Sequence, residues 1–302
     1  MSKDIFDART PEDVIIALEF GANINELRNH KTPIEKAAEN DNVEVFYTLL
    51  ENGAIDKRDG HFYTIYYAIT NGSRNILNEY LRNPNLQYTP NMPILNSGIR
   101  ALTLAVEKGY VDIVELLLAY NVEINYIDTS INNTPLGLAC IKNDRIIVTL
   151  LLGKSADPNL YYKTPSFFYT KDINIVHETF IYGANLSDVD HLGRTFLYIA
   201  VLHPEIEFLE AILKYNLIDI NHIDKQGQTV LIKHIIFSTK NNESFYNKIK
   251  MLLEFGADPT IQDNLGRDSI YYANMMIRNR RVGEQILNIL DPIKYDDEQA
   301  DF

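Results

Sequence analysis

Few side chains in this sequence are arranged for chemistry, and its one cysteine is the first candidate. Cys140 follows Ala139 in an apolar stretch, and no local pattern supplies the base that a thiolate nucleophile needs. A single cysteine also excludes an internal disulfide framework and a multi-cysteine zinc site. Cys140 is therefore predicted to be a small buried residue of a chain that suits a reducing compartment.

Histidines are the second candidates, and the sequence contains seven of them. Their spacing matches no metal motif, and the sequence has no His-Glu-x-x-His, Cys-x-x-Cys or glycine-rich phosphate loop. No catalytic residue, metal or cofactor is therefore predicted. His234 is expected to be a core histidine with a backbone hydrogen-bond partner. Four others fall in or near predicted turns, where they are either solvated or contact a partner: His30, His61, His191 and His222.

Composition and charge narrow the class of partner. The 302 residues are 46% hydrophobic and 23% charged, which favours a folded chain over a disordered one. Lys and Arg number 28 against 41 Asp and Glu, and the resulting net charge of −13 is unsuited to nucleic acid or anionic lipid. No secretory signal is expected, and no apolar run approaches the ~20 residues of a membrane span. We therefore expect a cytoplasmic chain that binds neither nucleic acid nor membrane.

The elements that would position any functional residue repeat along the chain. Apolar pairs four residues apart recur nine times, from residues 14 and 18 to residues 286 and 290. Because positions i and i+4 share one helix face, each pair predicts a helix that is buried against its neighbours. Each of these helices is preceded by another predicted helix, in which a small residue recurs at positions 37, 68, 105, 139, 200 and 273. Tyr169 and His234 occupy the equivalent position in two of the repeats.

Two short motifs recur in register with these helices. The first helix begins with Thr-Pro in segments 31–38 and 133–139 and with Thr-Phe in segment 193–200. The Thr can cap the helix, and the Pro can occupy its first position. Gly-Ala turns follow the second helix at residues 21, 53, 183 and 256. The pattern resembles the ankyrin repeat along nearly the whole chain. That resemblance implies an all-α solenoid of about nine helix-turn-helix-hairpin repeats, including the caps.

The regularity of the repeats suggests where the fold begins, ends and deviates. We predict one repeat domain over residues 1–290, with an N-terminal cap at 1–25, internal repeats at 26–262 and a C-terminal cap at 263–290. Residues 291–302 are predicted to be a frayed acidic tail. Repeat six is short, and repeat eight contains an insertion of about six residues around 238–244.

The resemblance also implies that the chain is not an enzyme but a protein-interaction scaffold or adaptor. Ankyrin-like stacks bind proteins through a concave face formed by hairpin fingers and inner helices, and consensus residues maintain the fold. Tyr and His on the fingers would add contact area without the desolvation of a carboxylate, while the finger acids favour a partner with a basic face. We expect a monomer whose partner-binding residues are Tyr126, Tyr161, Tyr162, His191, His222, Asp128, Asp190 and Asp224. In ankyrin repeats the finger aspartate commonly shapes the hairpin, so the three aspartates also have a structural interpretation.

Three further hypotheses stay open. An enzyme could use a non-standard site in irregular repeats six to eight, at Tyr169, His177 and His234. Finger asparagines could be substrates of an asparaginyl hydroxylase, as in some ankyrin repeats: Asn25, Asn125, Asn159 and Asn221. Finally, 37 Ile, 30 Asn and 19 Tyr against 18 Ala are typical of an AT-rich genome. This bias resembles ankyrin effectors of intracellular bacteria or large DNA viruses, which are delivered into a host cell and engage host proteins.

Overall fold

Helices account for all regular secondary structure in the residues that the computed structural model describes, which are 4–237, 242–275 and 280–290. The chain divides into two units, Met1–Tyr162 and Lys163–Phe302. Across these described residues the fingers carry isolated β-bridges, such as the one between Arg28 and Lys31, and no strands. The predicted acidic tail at 291–302 lies outside the described residues, and the division into caps stays a prediction.

The first unit contains five repeats. Its helices are α1 (Pro11–Glu19), α2 (Pro33–Glu39), α3 (Val43–Glu51), α4 (Tyr63–Thr70), α5 (Arg74–Arg82), α6 (Ala101–Lys108), α7 (Val111–Ala119), α8 (Pro135–Lys142) and α9 (Arg145–Gly153). Short 3-10 helices lie at Ile5–Asp7 and Pro84–Leu86. Helices α2, α4, α6 and α8 pack side by side as an inner row, and α3, α5, α7 and α9 form the outer row.

The second unit continues the same plan with four repeats. A 3-10 helix, Ser166–Tyr169, is followed by α10 (Ile173–Ile181), α11 (Leu197–Ala200), α12 (Ile206–Lys214), α13 (Val230–Phe237), α14 (Glu243–Glu254), α15 (Ser269–Asn274) and α16 (Arg280–Leu290). Helices α11, α13 and α15 pack side by side, as do α12, α14 and α16. Each unit therefore has the all-α repeat fold that the sequence predicts.

Helix starts follow the predicted capping chemistry. The Thr10 hydroxyl accepts a hydrogen bond from the Asp13 N–H at 3.3 Å, and the Asp13 carboxylate accepts one from the Thr10 N–H at 3.1 Å. The Thr134 hydroxyl accepts from the Gly137 N–H at 3.0 Å, with Pro135 in the first turn of α8. These side chains satisfy amide groups that have no partner within the helix, so α1 and α8 begin where the sequence provides a cap.

The buried face of the second helices is confirmed, with one refinement. The first residue of every predicted apolar pair is fully buried: Val14, Phe46, Leu77, Val114, Val148, Val176, Leu209, Ile249 and Ile286. Its partner four residues later is only partly buried in five repeats, at Leu18, Leu50, Leu81, Phe180 and Leu253. There the residue three positions after the first is buried instead, as at Leu49. Both spacings lie on one helix face, so the register is correct while the buried stripe is shifted.

The first helix of repeat six is different from the prediction. Tyr169, expected in the small buried slot, is 37% exposed at the end of a four-residue 3-10 helix. Phe167 and Phe168 are buried there instead and pack on Phe196, with ring centroids 5.3 and 5.4 Å apart. Two large aromatic side chains thus occupy the space that a longer helix with an alanine would fill in a regular repeat.

The predicted inert cysteine and core histidine are both confirmed. Cys140 is fully buried, and burial raises the pKa of its thiol to about 12, so the reactive thiolate is not formed near neutral pH. His234 is buried on α13, and its Nε2 lies 3.2 Å from the carbonyl oxygen of Phe245. Because a carbonyl only accepts, Nε2 carries the proton in this hydrogen bond.

Asparagine side chains clamp consecutive fingers within each unit. The Asn25 amide donates to the Gly53 carbonyl at 3.3 Å, and its Oδ1 accepts from the Ile55 N–H at 2.8 Å. Asn125 bridges to the Ser155 carbonyl and the Asp157 N–H, and Asn221 to the Gly256 carbonyl and the Asp258 N–H. We call these three residues the asparagine clamps. Their hydroxylation, and that of Asn159, stays a prediction.

Candidate functional site

Three consecutive fingers of the second unit share one hairpin geometry, at residues 190–194, 224–228 and 263–267. In each finger the N–H of the first aspartate donates to the carbonyl four residues later, at 2.9 to 3.0 Å. One carboxylate oxygen of the same aspartate accepts the N–H groups two and four residues later, at 2.8 to 3.0 Å. A single aspartate therefore closes each turn, which is the structural role that the resemblance implied.

The second oxygen of each aspartate is neutralised by a neighbouring cation. Asp190 pairs with Arg194 at 2.6 Å, Asp263 with Arg267 at 2.9 Å and Asp224 with Lys233 at 3.3 Å. Burial alone would raise the pKa of Asp190, but hydrogen bonds from the Arg194 side chain and the finger backbone outweigh it and lower that pKa. These three acids are buried and paired, so they add little negative potential to the finger surface.

Backbone hydrogen bonds join the three fingers into one ribbon. The Lys225 N–H donates to the Leu192 carbonyl at 3.1 Å, and the Asn264 N–H donates to the Gln226 carbonyl at 3.0 Å. The Lys225 ammonium also donates to the His191 carbonyl at 2.7 Å. Since each finger is fixed to the next, these hydrogen bonds set the relative positions of the finger backbones. We call residues 190–194, 224–228 and 263–267 the finger ribbon.

Apolar side chains stand exposed on or beside this ribbon. Leu192 and Leu265 occupy the same position of their fingers and are both exposed, Leu265 to 71%. Ile223, which precedes the middle finger, is also exposed. These three residues were not predicted, because they are neither aromatic nor titratable. The signal that would have found them is the repeated Asp-x-Leu-Gly-Arg at 190–194 and 263–267, where Leu has no turn-forming role.

The predicted contact residues of the second unit differ in how far their side chains are exposed. His191 is exposed at a finger tip. His222 is half-buried, and its Nε2 lies 2.9 Å from the Gly193 carbonyl, so it also fixes the ribbon. Asp190 and Asp224 are buried within their turns.

The predicted contact residues of the first unit also divide. Tyr126 is buried, with its hydroxyl 2.8 Å from the Thr103 hydroxyl and the Arg100 guanidinium carbon 4.2 Å from the ring centroid. Burial raises the pKa of Tyr126 to about 12. Asp128 is buried and accepts from the Ser130 and Arg100 N–H groups, at 2.9 and 3.2 Å. Tyr161 is half-buried, and Tyr162 is 53% exposed.

Burial therefore decides which predicted residues can touch a partner directly. Four of them offer almost no exposed surface, and we assign them a structural role inside their fingers: Tyr126, Asp128, Asp190 and Asp224. The contact prediction then depends on Tyr161, Tyr162, His191 and His222, and for these it stays a prediction. The structure places the first two in one unit and the two histidines in the other.

Replacing Tyr126 by phenylalanine tests this structural role. The ring would stay buried, but the Thr103 hydroxyl would lose its partner, so the free energy of unfolding should fall by about 1 kcal/mol. Denaturant titration measures the change, and Tyr182→Phe, at a ring that is 47% exposed, is the control with a much smaller expected loss. Equal stabilities of the two variants would contradict the role assigned to the Tyr126 hydroxyl.

The candidate enzyme residues are not assembled into one site. His177 Nδ1 lies 2.7 Å from the Tyr215 hydroxyl, and the two rings stack. His234 lines a cavity of about 290 Å³ whose lining includes neither Tyr169 nor His177. In the described ranges, no group of three His, Cys, Asp or Glu side chains is placed to hold a metal ion. The same part of the chain contains no helix both long and apolar enough to cross a membrane.

Comparisons with known proteins agree with the repeat geometry. The family model described as ankyrin repeats, three copies, matches residues 65–162. A curated ankyrin repeat protein of Acanthamoeba polyphaga mimivirus is 26% identical over 257 residues, which are 75% of this chain; the chain covers 32% of that protein's length. The crystal structure of the human ASB11 ankyrin repeat domain superposes with a TM-score of 0.56 at 23% identity, over 68% of this chain and 92% of that domain. This last likeness shows the fold alone.

Proposed function

We propose that this chain, which is an ankyrin-repeat protein, is a scaffold or adaptor that binds another protein. Ankyrin repeats are in general protein-interaction modules. The observation that supports the proposal most directly is the finger ribbon, whose turns are internally satisfied while Leu192, Ile223 and Leu265 remain exposed. Apolar side chains on a rigid, polar-satisfied backbone offer contact area at little conformational cost on binding.

The contact surface proposed for the second unit combines these apolar tips with two predicted histidines. His191 lies next to Leu192 in the sequence, and His222 lies next to Ile223. In the first unit, Tyr162 provides an exposed aromatic side chain of the type enriched at interface hot spots.

The proposed partner has a basic face. This proposal is supported by the net charge of the whole chain and not by the finger acids. The finger acids from which it was first inferred are buried or paired with cations. A net charge of −13 still produces a long-range attraction to a basic surface. Association should therefore slow as ionic strength rises, whereas dissociation should change little.

A finer proposal is that the chain is a pathogen effector that acts as a monomer in the cytoplasm of a host cell. The AT-rich composition supports it, and so does the viral origin of the curated relative. The single buried cysteine suits a reducing compartment. An enzyme in repeats six to eight has less support, because Tyr169 and His177 do not line the cavity that contains His234.

The test is affinity purification of partners from cytosol, followed by measurement of affinity for the most reproducible one. The double variant Leu192→Ala, Leu265→Ala should weaken binding by at least about tenfold, because buried apolar anchors dominate interface energies. The matched control is Tyr182→Ala, an exposed side chain at the end of α10 and outside the ribbon. Unchanged affinity of the double variant, with its melting temperature preserved, would contradict the proposed surface.

A further inference from the structure

A cavity of about 290 Å³ lies in the second unit where α11 leads into α12 and α13 leads towards α14. It is at the carboxyl end of α13, and the finger at 224–228 precedes the amino end of the same helix. Leu202 and Phe237 line it and are each 59% exposed, so apolar surface remains open to solvent there. The cavity is separate from the finger ribbon, and the proposed contact surface does not use it.

A buried lysine lines this cavity. Lys248, in the second turn of α14, is only 5% exposed. Its ammonium donates to the Val201 carbonyl at 3.0 Å and to the His203 carbonyl by a second, shorter hydrogen bond. Within the described part of the chain, no carboxylate lies within ion-pair distance of this ammonium. Burial lowers the pKa of Lys248, as expected for a cation removed from water.

The two carbonyls satisfy only part of what the ammonium requires. An ammonium has three N–H donors, and the carbonyls accept two of them. Neither carbonyl carries the formal negative charge that would compensate a buried cation. The neighbouring His234 is neutral because burial lowers its pKa to about 4, so it adds no second positive charge, and a histidine ring cannot supply a negative one. The third donor and the charge are therefore available to an anion that enters the cavity.

The lining also indicates the shape of that anion. Ser244 adds a hydroxyl that can donate to a second oxygen, whereas Val201, Leu202 and Phe237 are apolar. A carboxylate on an apolar stem matches both parts, since its head would meet Lys248 and its stem would cover Leu202 and Phe237. A fully hydrated inorganic anion would match only the polar part.

We propose that this cavity binds a carboxylate carried on a short apolar chain, with Lys248 as its charge partner. Such a group is found both in small aliphatic acids and at the C-terminus of a peptide that ends in an apolar residue. The alternative is that Lys248 only braces the turn after α11 by holding its carbonyls. A brace of that kind would have no preference for a negatively charged ligand.

The experiment titrates the full chain with hexanoate and with hexanamide, its neutral counterpart, by calorimetry and by the NMR signals of 13C-labelled lysine side chains. Hexanoate should bind and shift the Lys248 signal, and hexanamide should bind at least about tenfold more weakly, because it lacks the charge-assisted hydrogen bond. Lys248→Met should weaken hexanoate binding by a similar factor. Lys250→Met, at an exposed lysine of the same helix, is the matched control and should change nothing.

A second pair of probes identifies the source of the carboxylate. A hexapeptide that ends in leucine is compared with its C-terminal amide. Binding of the free acid alone indicates a polypeptide terminus, and binding of hexanoate without the peptide indicates a small acid; both support the proposal. Equal binding of hexanoate and hexanamide, equal binding by the native chain and Lys248→Met, or no binding of any probe would overturn it. If Lys248→Met does not fold, the comparison of acid with amide on the native chain gives the answer.

Discussion

Replacing either Leu117 or Leu151 by alanine should lower the free energy of unfolding by about 2–5 kcal/mol, which is the usual cost of truncating a fully buried leucine. Both side chains are fully buried, Leu117 on α7 and Leu151 on α9. These outer helices pack against each other and against their own inner helices, so a cavity left in either would lie between repeats. In a fold where each repeat is stabilised by its neighbours, the loss should spread beyond the altered repeat.

Denaturant titration followed by circular dichroism measures this effect. Leu27→Ala is the matched control because Leu27 belongs to the same unit and is exposed, so its loss should stay below about 0.5 kcal/mol. Losses as small as the control's at Leu117 and Leu151 would show that the helical register is wrong.

Lowering the pH from 7 to 5 should destabilise the second unit through His234. Burial lowers the pKa of His234 to about 4, helped by the nearby Lys248 charge and opposed by the hydrogen bond to Phe245. The unfolded chain has an ordinary histidine pKa of about 6.5, so between these values the unfolded state binds a proton that the folded state does not. The contribution of His234 to the free energy of unfolding is therefore fully present above about pH 6.5. It is lost as the pH falls, and the free energy of unfolding should be lower by about 2 kcal/mol at pH 5.

The measurement compares denaturant titrations at the two pH values for the native chain and for His234→Leu. The variant cannot titrate at this position, so its stability should change by about 2 kcal/mol less than that of the native chain. His191→Gln, at an exposed histidine of the same unit, is measured in the same way as the matched control variant. Carboxylates with a lowered pKa, such as Asp190, take up protons only at a more acid pH, so they do not change the stability between pH 7 and 5. An identical pH dependence in the native chain and His234→Leu would show that His234 is not the cause.

The sequence was sufficient for those parts of the fold that depend on local spacing. Apolar pairs four residues apart predicted the second helices because burial of one helix face leaves that period in the chain, and Val114 and Val148 are indeed fully buried. Threonine caps were predictable for the same reason, since Thr134 acts on an amide three residues away.

The candidate sites were less predictable because they depend on contacts between residues that are far apart in the sequence. Tyr126 looked like an exposed finger residue, but its hydroxyl reaches Thr103 of the same repeat's inner helix, 23 positions earlier. Lys248 looks like a surface lysine within α14, and it is buried only because it reaches carbonyls 45 and 47 residues earlier in the chain. For Leu192 and Leu265 the sequence does contain a signal, the repeated Asp-x-Leu-Gly-Arg, and the structure adds that the aspartate and the arginine of this motif satisfy the turn.

The asparagine clamps make the array easy to lengthen. Every clamp binds a carbonyl and an N–H of the next finger, at Gly53 and Ile55, Ser155 and Asp157, or Gly256 and Asp258. Because both partners are backbone atoms, the joint does not depend on which side chains the next repeat carries. A gene duplication that copies a whole period containing a clamp asparagine therefore recreates the same joint at the new boundary. Chains of this kind can change their number of repeats in a single genetic event without first inventing a new interface.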